Sequence, residues 1–169
     1  MEGNLTTLPV TEETIRKAEE TLLAYRAAKA PLEARLLENE QWYRLRHWST
    51  MRRNPGDPEP ASAWLLNCIA NKHADAMDNV PEPYVLPREE GDAPDAEALS
   101  AILPVVMELN EYEQVYSDVW WAKLKGGTGV TGVFWNPDGA DGLGDVDIRK
   151  VELLRLYWEP GVSRLQASR

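Results

Sequence analysis

Cysteine, phenylalanine and long apolar runs are scarce or absent in this chain of 169 residues. Cys68 is the only cysteine, so the chain has no internal disulfide and no cluster of thiolate metal ligands. This usage fits a reducing compartment. No apolar run approaches the roughly 20 residues that a membrane-spanning helix needs, so we expect a soluble protein with no membrane partner.

Excess positive charge is also absent, because the formal net charge is −10. A general nucleic-acid-binding domain carries a basic patch or stripe, so this charge disfavours that class. The charge does not exclude a protein that lets DNA pass without gripping it.

The one basic cluster interleaves arginines with aromatic residues. Its candidate contact residues are Arg44, Arg46, Arg52 and Arg53. Arginines and aromatic rings can hold phosphates and stack on bases, so contact with DNA is one interpretation. A second is a helix end with favourably placed cations, and a third is pairing with carboxylates of a neighbouring subunit.

The stretch from Asn110 to Pro160 predicts a helix, a glycine stop and a long β-hairpin. Asn110 with Glu113 three residues later is typical of a helix N-cap. Gly126 can take the left-handed conformation that closes a helix. Strand-forming residues then run from about 130 to 135 and from 146 to 157, and turn formers lie between them.

The rest of the chain predicts helices and proline-rich links. We expect residues 1–48 to form an N-terminal helical arm, kinked or broken near Pro31. Residues 49–169 are expected to form a helix–hairpin core, with linkers at 49–60 and 80–94 and helices near 62–79 and 95–109. The predicted fold class is α+β, mainly helical with a C-terminal β-hairpin or small antiparallel sheet.

Seven tryptophans against one phenylalanine make tryptophan the main large apolar residue. We expect most of them to fill the core and a few to form subunit contacts. The alternative is a tryptophan-rich module whose exposed rings bind a carbohydrate or a peptide. The core or interface candidates are Trp64, Trp120, Trp121, Trp135 and Trp158.

No arrangement of residues predicts catalysis or a bound cofactor. The Asp-rich turn at 138–147 resembles a calcium loop only in composition, because Ala140 and Asp141 stand where an EF-hand needs a ligand and a glycine. Whether this turn binds a cation stays open. A hydrolase would have to use Asp145, Asp147 and Glu159 as its acids, and sequence alone does not bring them together. We expect a protein that is not an enzyme.

Taken together, several stretches resemble the N-terminal region of tailed-bacteriophage portal proteins. Each stretch alone is weak, and the resemblance lies in their order from about Glu38 onward. The stretches are 41–48, 63–67, 69–79, 81–83, 116–121, 126–129, and 144–148 through 157–160.

The resemblance implies a homo-oligomeric ring, typically a dodecamer, at one capsid vertex, through which genomic DNA is packaged and ejected. It implies as partners the terminase motor, the capsid, head-completion proteins and passing double-stranded DNA, which is bound without sequence specificity. It implies a virion protein assembled in the host cytoplasm, with no catalytic residues. This chain would then be the wing-side, N-terminal part of a longer protein.

Overall fold

A computed structural model describes residues 11–162 of the chain. In order, these residues form α1 (Glu12–Tyr43), α2 (Trp64–Met77), α3 (Ala93–Leu109), α4 (Tyr112–Gly126), β1 (Thr131–Asn136) and β2 (Asp145–Lys150). The two strands form one antiparallel sheet. The predicted fold class, mainly helical with a C-terminal hairpin, is confirmed.

The described residues divide into two compact units. One holds residues 11–35 and 156–162, and the other holds residues 36–155. Along the chain, the units divide between residues 35 and 36 and again between 155 and 156. The predicted division into an arm at 1–48 and a core at 49–169 stays a prediction. Within the first unit, Lys29 is buried, with Nζ 3.2 Å from Glu33 Oε1 and 4.3 Å from the centre of the Tyr157 ring.

Helix α1 runs unbroken through Pro31, so the predicted break at this residue is wrong. A proline inside a helix costs about 3 kcal/mol, because it removes one N–H donor and crowds the preceding turn. Ending the helix there would instead leave several N–H and C=O groups unpaired on each side of the break. Continuing the helix therefore costs less free energy than ending it. The kink that the sequence predicts near Pro31 stays a prediction.

The end of α1 lies at Tyr43 and not near Trp48, as the sequence predicted. Leu45 takes a left-handed conformation with φ 59°, which reverses the chain. The Arg46 N–H then donates to the Gln41 carbonyl at 2.9 Å, a bond typical of a closed helix end. The sequence has no glycine here, so the usual stop signal is missing.

Asn110 ends α3 and does not cap α4, which corrects the prediction. The residue that precedes α4 is Glu111, with φ 47° and no side-chain cap bond. The Asn110 Nδ2 donates to the Val146 carbonyl at 3.0 Å, and Oδ1 accepts from the Ile148 N–H at 2.7 Å. A carboxamide both donates and accepts, so it satisfies two groups of β2, whereas a cap would satisfy one N–H of α4.

Helix α4 ends in a glycine stop, one residue later than predicted. Gly127 is the left-handed residue, with φ 82°, and its N–H donates to the Lys123 carbonyl at 2.8 Å. Gly126 belongs to the helix and lies against Leu36, where an added Cβ would come within 2.7 Å of the leucine Cδ2.

The hairpin is shorter than predicted. Val133 faces Ile148 and Trp135 faces Val146, and β2 ends at Lys150 because a short 3-10 turn follows at Leu153–Arg155. The Trp135 ring lies on Gly144, where a Cβ would come within 2.1 Å of the ring. Only glycine permits this approach.

The predicted linkers and helix ends shift by a few residues. Residues 52–63 form neither helix nor strand, in agreement with the proline-rich composition. Helix α3 begins at Ala93, inside the predicted 80–94 linker, and Asp95 lies in its first turn. Helix α2 spans Trp64–Met77 and is shorter than the predicted 62–79.

Helix α4 is central to the larger unit, because it packs against α2, α3 and both strands. Burial is nevertheless shallow. Among residues 11–162, the buried apolar residues are Ile69 and Ala96, and other large apolar side chains stay at least partly exposed. No helix in this range is long and apolar enough to cross a membrane.

Candidate functional site

An aromatic contact joins α4 to α2. The Trp121 ring stacks on the imidazole of His73, with ring centres 4.2 Å apart and planes 18° apart. The His73 Nε2 also lies 3.0 Å from the Ser117 Oγ. Trp121 remains partly exposed, so it contributes to the packing of α2 on α4 without being a fully buried core residue.

Glu40 connects the end of α1 to the end of α4. Its carboxylate lies 2.7 Å from Arg44 Nε and 3.1 Å from Lys125 Nζ. The neighbouring Asn39 Nδ2 donates to the Lys125 carbonyl at 2.9 Å. Burial raises the pKa of the Glu40 carboxyl, but the hydrogen bonds and charges of Arg44 and Lys125 outweigh this effect and lower the pKa overall.

The structure separates the four candidate arginines into two pairs. Arg44 is held by Glu40. Arg53 Cζ lies 4.6 Å from the centre of the Trp48 ring, and Arg53 Nη1 lies 3.3 Å from Glu59 Oε1. Arg46 and Arg52 are exposed. Arg44 and Arg53 are therefore held within the chain, whereas Arg46 and Arg52 are accessible to a partner.

The five candidate tryptophans differ in exposure. Trp64 is 77% exposed and Trp135 is 64% exposed, so neither belongs to the core of this chain, which corrects that expectation. Trp120, Trp121 and Trp158 are partly buried. The Lys123 Nζ lies 3.8 Å from the centre of the Trp120 ring, a cation–π contact on the surface of α4. Subunit contact by any of these five remains a prediction.

The Asp-rich turn uses its side chains locally. The Asp138 N–H donates to Asn136 Oδ1 at 3.2 Å, the Val146 N–H donates to Asp145 Oδ1 at 2.7 Å, and Asp147 pairs with Arg149. Between residues 11 and 162, no group of three or more His, Cys, Asp or Glu side chains is arranged to hold a metal ion.

A wide groove of about 990 Å³ lies where α2 ends, α3 ends and α4 begins. We call it the acidic groove, because four glutamates line it and its lining includes no lysine, arginine or histidine among the residues that the structure describes. The rest of its lining is mainly apolar. The lining residues are Met77, Val80, Pro81, Glu82, Pro83, Pro104, Met107, Glu108, Glu111, Tyr112, Glu113 and Gln114.

A second groove, of about 460 Å³, runs beside the ion pairs of Glu40. Its charges are balanced, because its lining holds three carboxylates and three cations, namely Glu40, Asp118 and Glu152 with Arg44, Lys125 and Lys150. Glu40 pairs with Arg44 and Lys125, and Lys150 Nζ lies 2.8 Å from Glu152 Oε1. Groups that already pair within the chain leave little net charge for a ligand, so this groove is the weaker binding candidate.

Comparisons of the chain with protein-family models, with curated proteins and with solved structures found no match. What the chain does must therefore be inferred from its own geometry. That geometry offers exposed apolar and aromatic surface, an acidic groove and two accessible arginines.

Sequence reasoning missed three features of the site. Glu40 was treated as part of a helical arm, although its spacing of four residues from Arg44 is a typical helical ion pair. Asn110 was assigned to a cap. The acidic groove combines three segments that are separated in the sequence. The only local sign of it is the close spacing of three glutamates, Glu108, Glu111 and Glu113.

Proposed function

We propose that this chain is the N-terminal portion of a structural subunit of a phage portal ring, through which genomic DNA is packaged and ejected. The observation that supports this most is the exposure of large apolar side chains. They occur on α2, α3 and the hairpin, as at Trp64, Leu109 and Trp135. Soluble monomers rarely expose extensive apolar surface, and such surface is typical of subunit contacts.

The shallow burial supports the same proposal. A subunit of an assembly completes part of its core against its neighbours, and obligate interfaces resemble a domain core cut in half. The side chains named above would become buried on association. Their burial would contribute about 25 cal/mol for each Å² of apolar surface removed from water.

The charge of the chain suits a conduit for DNA. With a net charge of −10, carboxylates repel passing phosphates, and this limits adhesion. The accessible Arg46 and Arg52 then serve contact with other proteins better than a grip on DNA. The proposed partners are further copies of the chain, the terminase motor, the capsid and head-completion proteins, and the proposed location is the capsid vertex of a virion.

The mass in solution of the full-length protein, of which this chain would be the N-terminal portion, tests this proposal. Sedimentation velocity and native mass spectrometry over rising concentrations should show a closed oligomer of about a dozen subunits, and negative-stain images should show rings. A protein that stays monomeric up to about 1 mM would associate with less than about 4 kcal/mol and would refute the proposal.

A carbohydrate- or peptide-binding module is the second candidate, and the exposed rings of Trp64 and Trp135 favour it. In that case the two rings would form a ligand platform. Oligosaccharide or peptide titration should then change tryptophan fluorescence in the wild type, and a Trp64→Ala, Trp135→Ala variant should lose the response. Fluorescence that responds to protein concentration, and to no ligand, supports assembly instead.

A further inference from the structure

The acidic groove and Arg44 lie at opposite ends of α4. The groove includes Tyr112 and Glu113 in the first turn of the helix. Arg44 shares Glu40 with Lys125 in the last turn. At about 1.5 Å per residue, the backbones of Glu113 and Lys125 are separated by about 18 Å. One copy of the chain therefore does not bring Arg44, where the arginine-rich stretch begins, to the groove.

The segment around and after Arg44 combines positive charge with exposed apolar side chains. We call residues 42–53 the basic segment. Arg46 and Arg52 are exposed, Met51 is 56% exposed, and Trp42 is 42% exposed. The other two arginines of the segment are held within the chain by Glu40 and Glu59. This leaves two guanidinium groups beside two apolar side chains that a partner can cover.

The chemistry of the acidic groove complements this segment. Glu82, Glu108 and Glu113 are exposed and can accept the paired N–H groups of guanidinium. Met77 and Met107 also line the groove and provide adaptable apolar surface for a tryptophan or methionine side chain. In a chain with a net charge of −10, the basic segment groups four of the 18 lysines and arginines, and this positive charge complements the groove.

We propose that the acidic groove binds the basic segment of a second copy of this chain, so that copies associate head to tail. This inference rests on the proposed function, because it names the surfaces through which subunits meet. A contact between two different surfaces is heterologous, and repetition of such a contact closes into a ring when the rotation between copies permits. The two ends of α4 would then define the direction around that ring.

Charge reversal on each side tests the contact. The groove variant is Glu82→Lys, Glu108→Lys, Glu113→Lys, and the segment variant is Arg46→Glu, Arg52→Glu. These substitutions leave the described ion pairs of the chain intact. Because like charges placed face to face strongly suppress association, each variant alone should self-associate at least about 100-fold more weakly than the wild type.

Mixing the two variants gives the decisive measurement. The reversed groove of one then faces the reversed segment of the other, and the remaining pair keeps its native charges. An equimolar mixture should therefore recover association in sedimentation velocity, as should a single chain that carries all five substitutions. The matched control, Glu19→Lys, Glu38→Lys, Glu97→Lys, has the same change in charge at exposed positions outside the groove and should associate like the wild type.

Circular dichroism first establishes that every variant is folded. If the wild type assembles and the folded groove and segment variants assemble equally well, the inference is overturned and the proposed function stands. If the control variant loses association as fully as the groove variant, overall charge is the cause and the inference also fails. If the wild type stays monomeric, both the proposed function and the inference are refuted.

A peptide of the basic segment, residues 42–53, provides an independent test of the same contact. It should bind the folded segment variant, whose groove is native, and should not bind the groove variant. A peptide with Arg46 and Arg52 replaced by glutamate is the control. Equal binding of both peptides to the native groove would overturn the inference.

Discussion

Replacing Asn110 with alanine should lower the free energy of unfolding by about 2–3 kcal/mol. The side chain makes three hydrogen bonds, to the carbonyls of Val106 and Val146 and from the N–H of Ile148. The two bonds to β2 link residues far apart in sequence, and each is worth about 1 kcal/mol net. Their loss also leaves a partly buried donor and acceptor unpaired. The backbone of Asn110, with φ −92° and ψ 7°, suits alanine, so little backbone strain is added.

Urea unfolding, followed by circular dichroism, measures this change, and a loss of that size corresponds to roughly 4–12 °C in Tm for a chain of this length. Asn79→Ala is the matched control, because Asn79 Nδ2 donates only within its own turn, to the Asp75 carbonyl at 3.3 Å. At this exposed position the loss should stay within about 0.5 kcal/mol. Equal effects of the two substitutions would refute the claim that Asn110 joins the α3–α4 junction to the hairpin.

Three further predictions concern α4 and its neighbours. Trp121→Ala should cost about 2 kcal/mol in urea unfolding, less than for a fully buried tryptophan, whereas Trp64→Ala should stay within about 0.5 kcal/mol because that ring is exposed. Gly127→Ala should lower the free energy of unfolding by about 1–2 kcal/mol, because φ 82° is strained for alanine. Gly91→Ala should not lower it, because an added Cβ meets nothing at either glycine and Gly91 has no positive φ. Because the pKa of Glu40 is lowered in the folded chain, its stabilising contribution is present above the usual value of 4.5 and is lost as the pH falls through the lowered pKa. Thermal unfolding from neutral to acidic pH should therefore lose less stability in Glu40→Gln than in the wild type, and identical profiles would contradict this.

The order of the elements could be predicted from the sequence, because it depends on local signals. Local signals determine structure within a few residues. They include the apolar spacing in α4, the glycine pair at its end and the turn formers between β1 and β2. The ends of elements were less predictable. Leu45 adopts a left-handed conformation without being glycine, and the N-cap pattern at Asn110 competes with stronger bonds to β2 that no local rule reveals.

The candidate site was less predictable than the fold. Tryptophans usually lie inside, yet Trp64 and Trp135 are exposed because the described part of the chain has too few elements to cover them. The acidic groove could not be read from the sequence, because the end of α2, the end of α3 and the start of α4 meet only after folding.

The shallow burial described above has a calorimetric consequence. The heat capacity of unfolding scales with the apolar area that becomes hydrated, at about 12–15 cal/mol/K per residue for ordinary domains. With Ile69 and Ala96 as the buried apolar residues between 11 and 162, the isolated chain should fall below that range. Its stability curve should be flat, so that cooling and warming change its folding free energy little. If copies associate as proposed, most of the burial of apolar surface, and with it most of the negative heat capacity change, would occur on association.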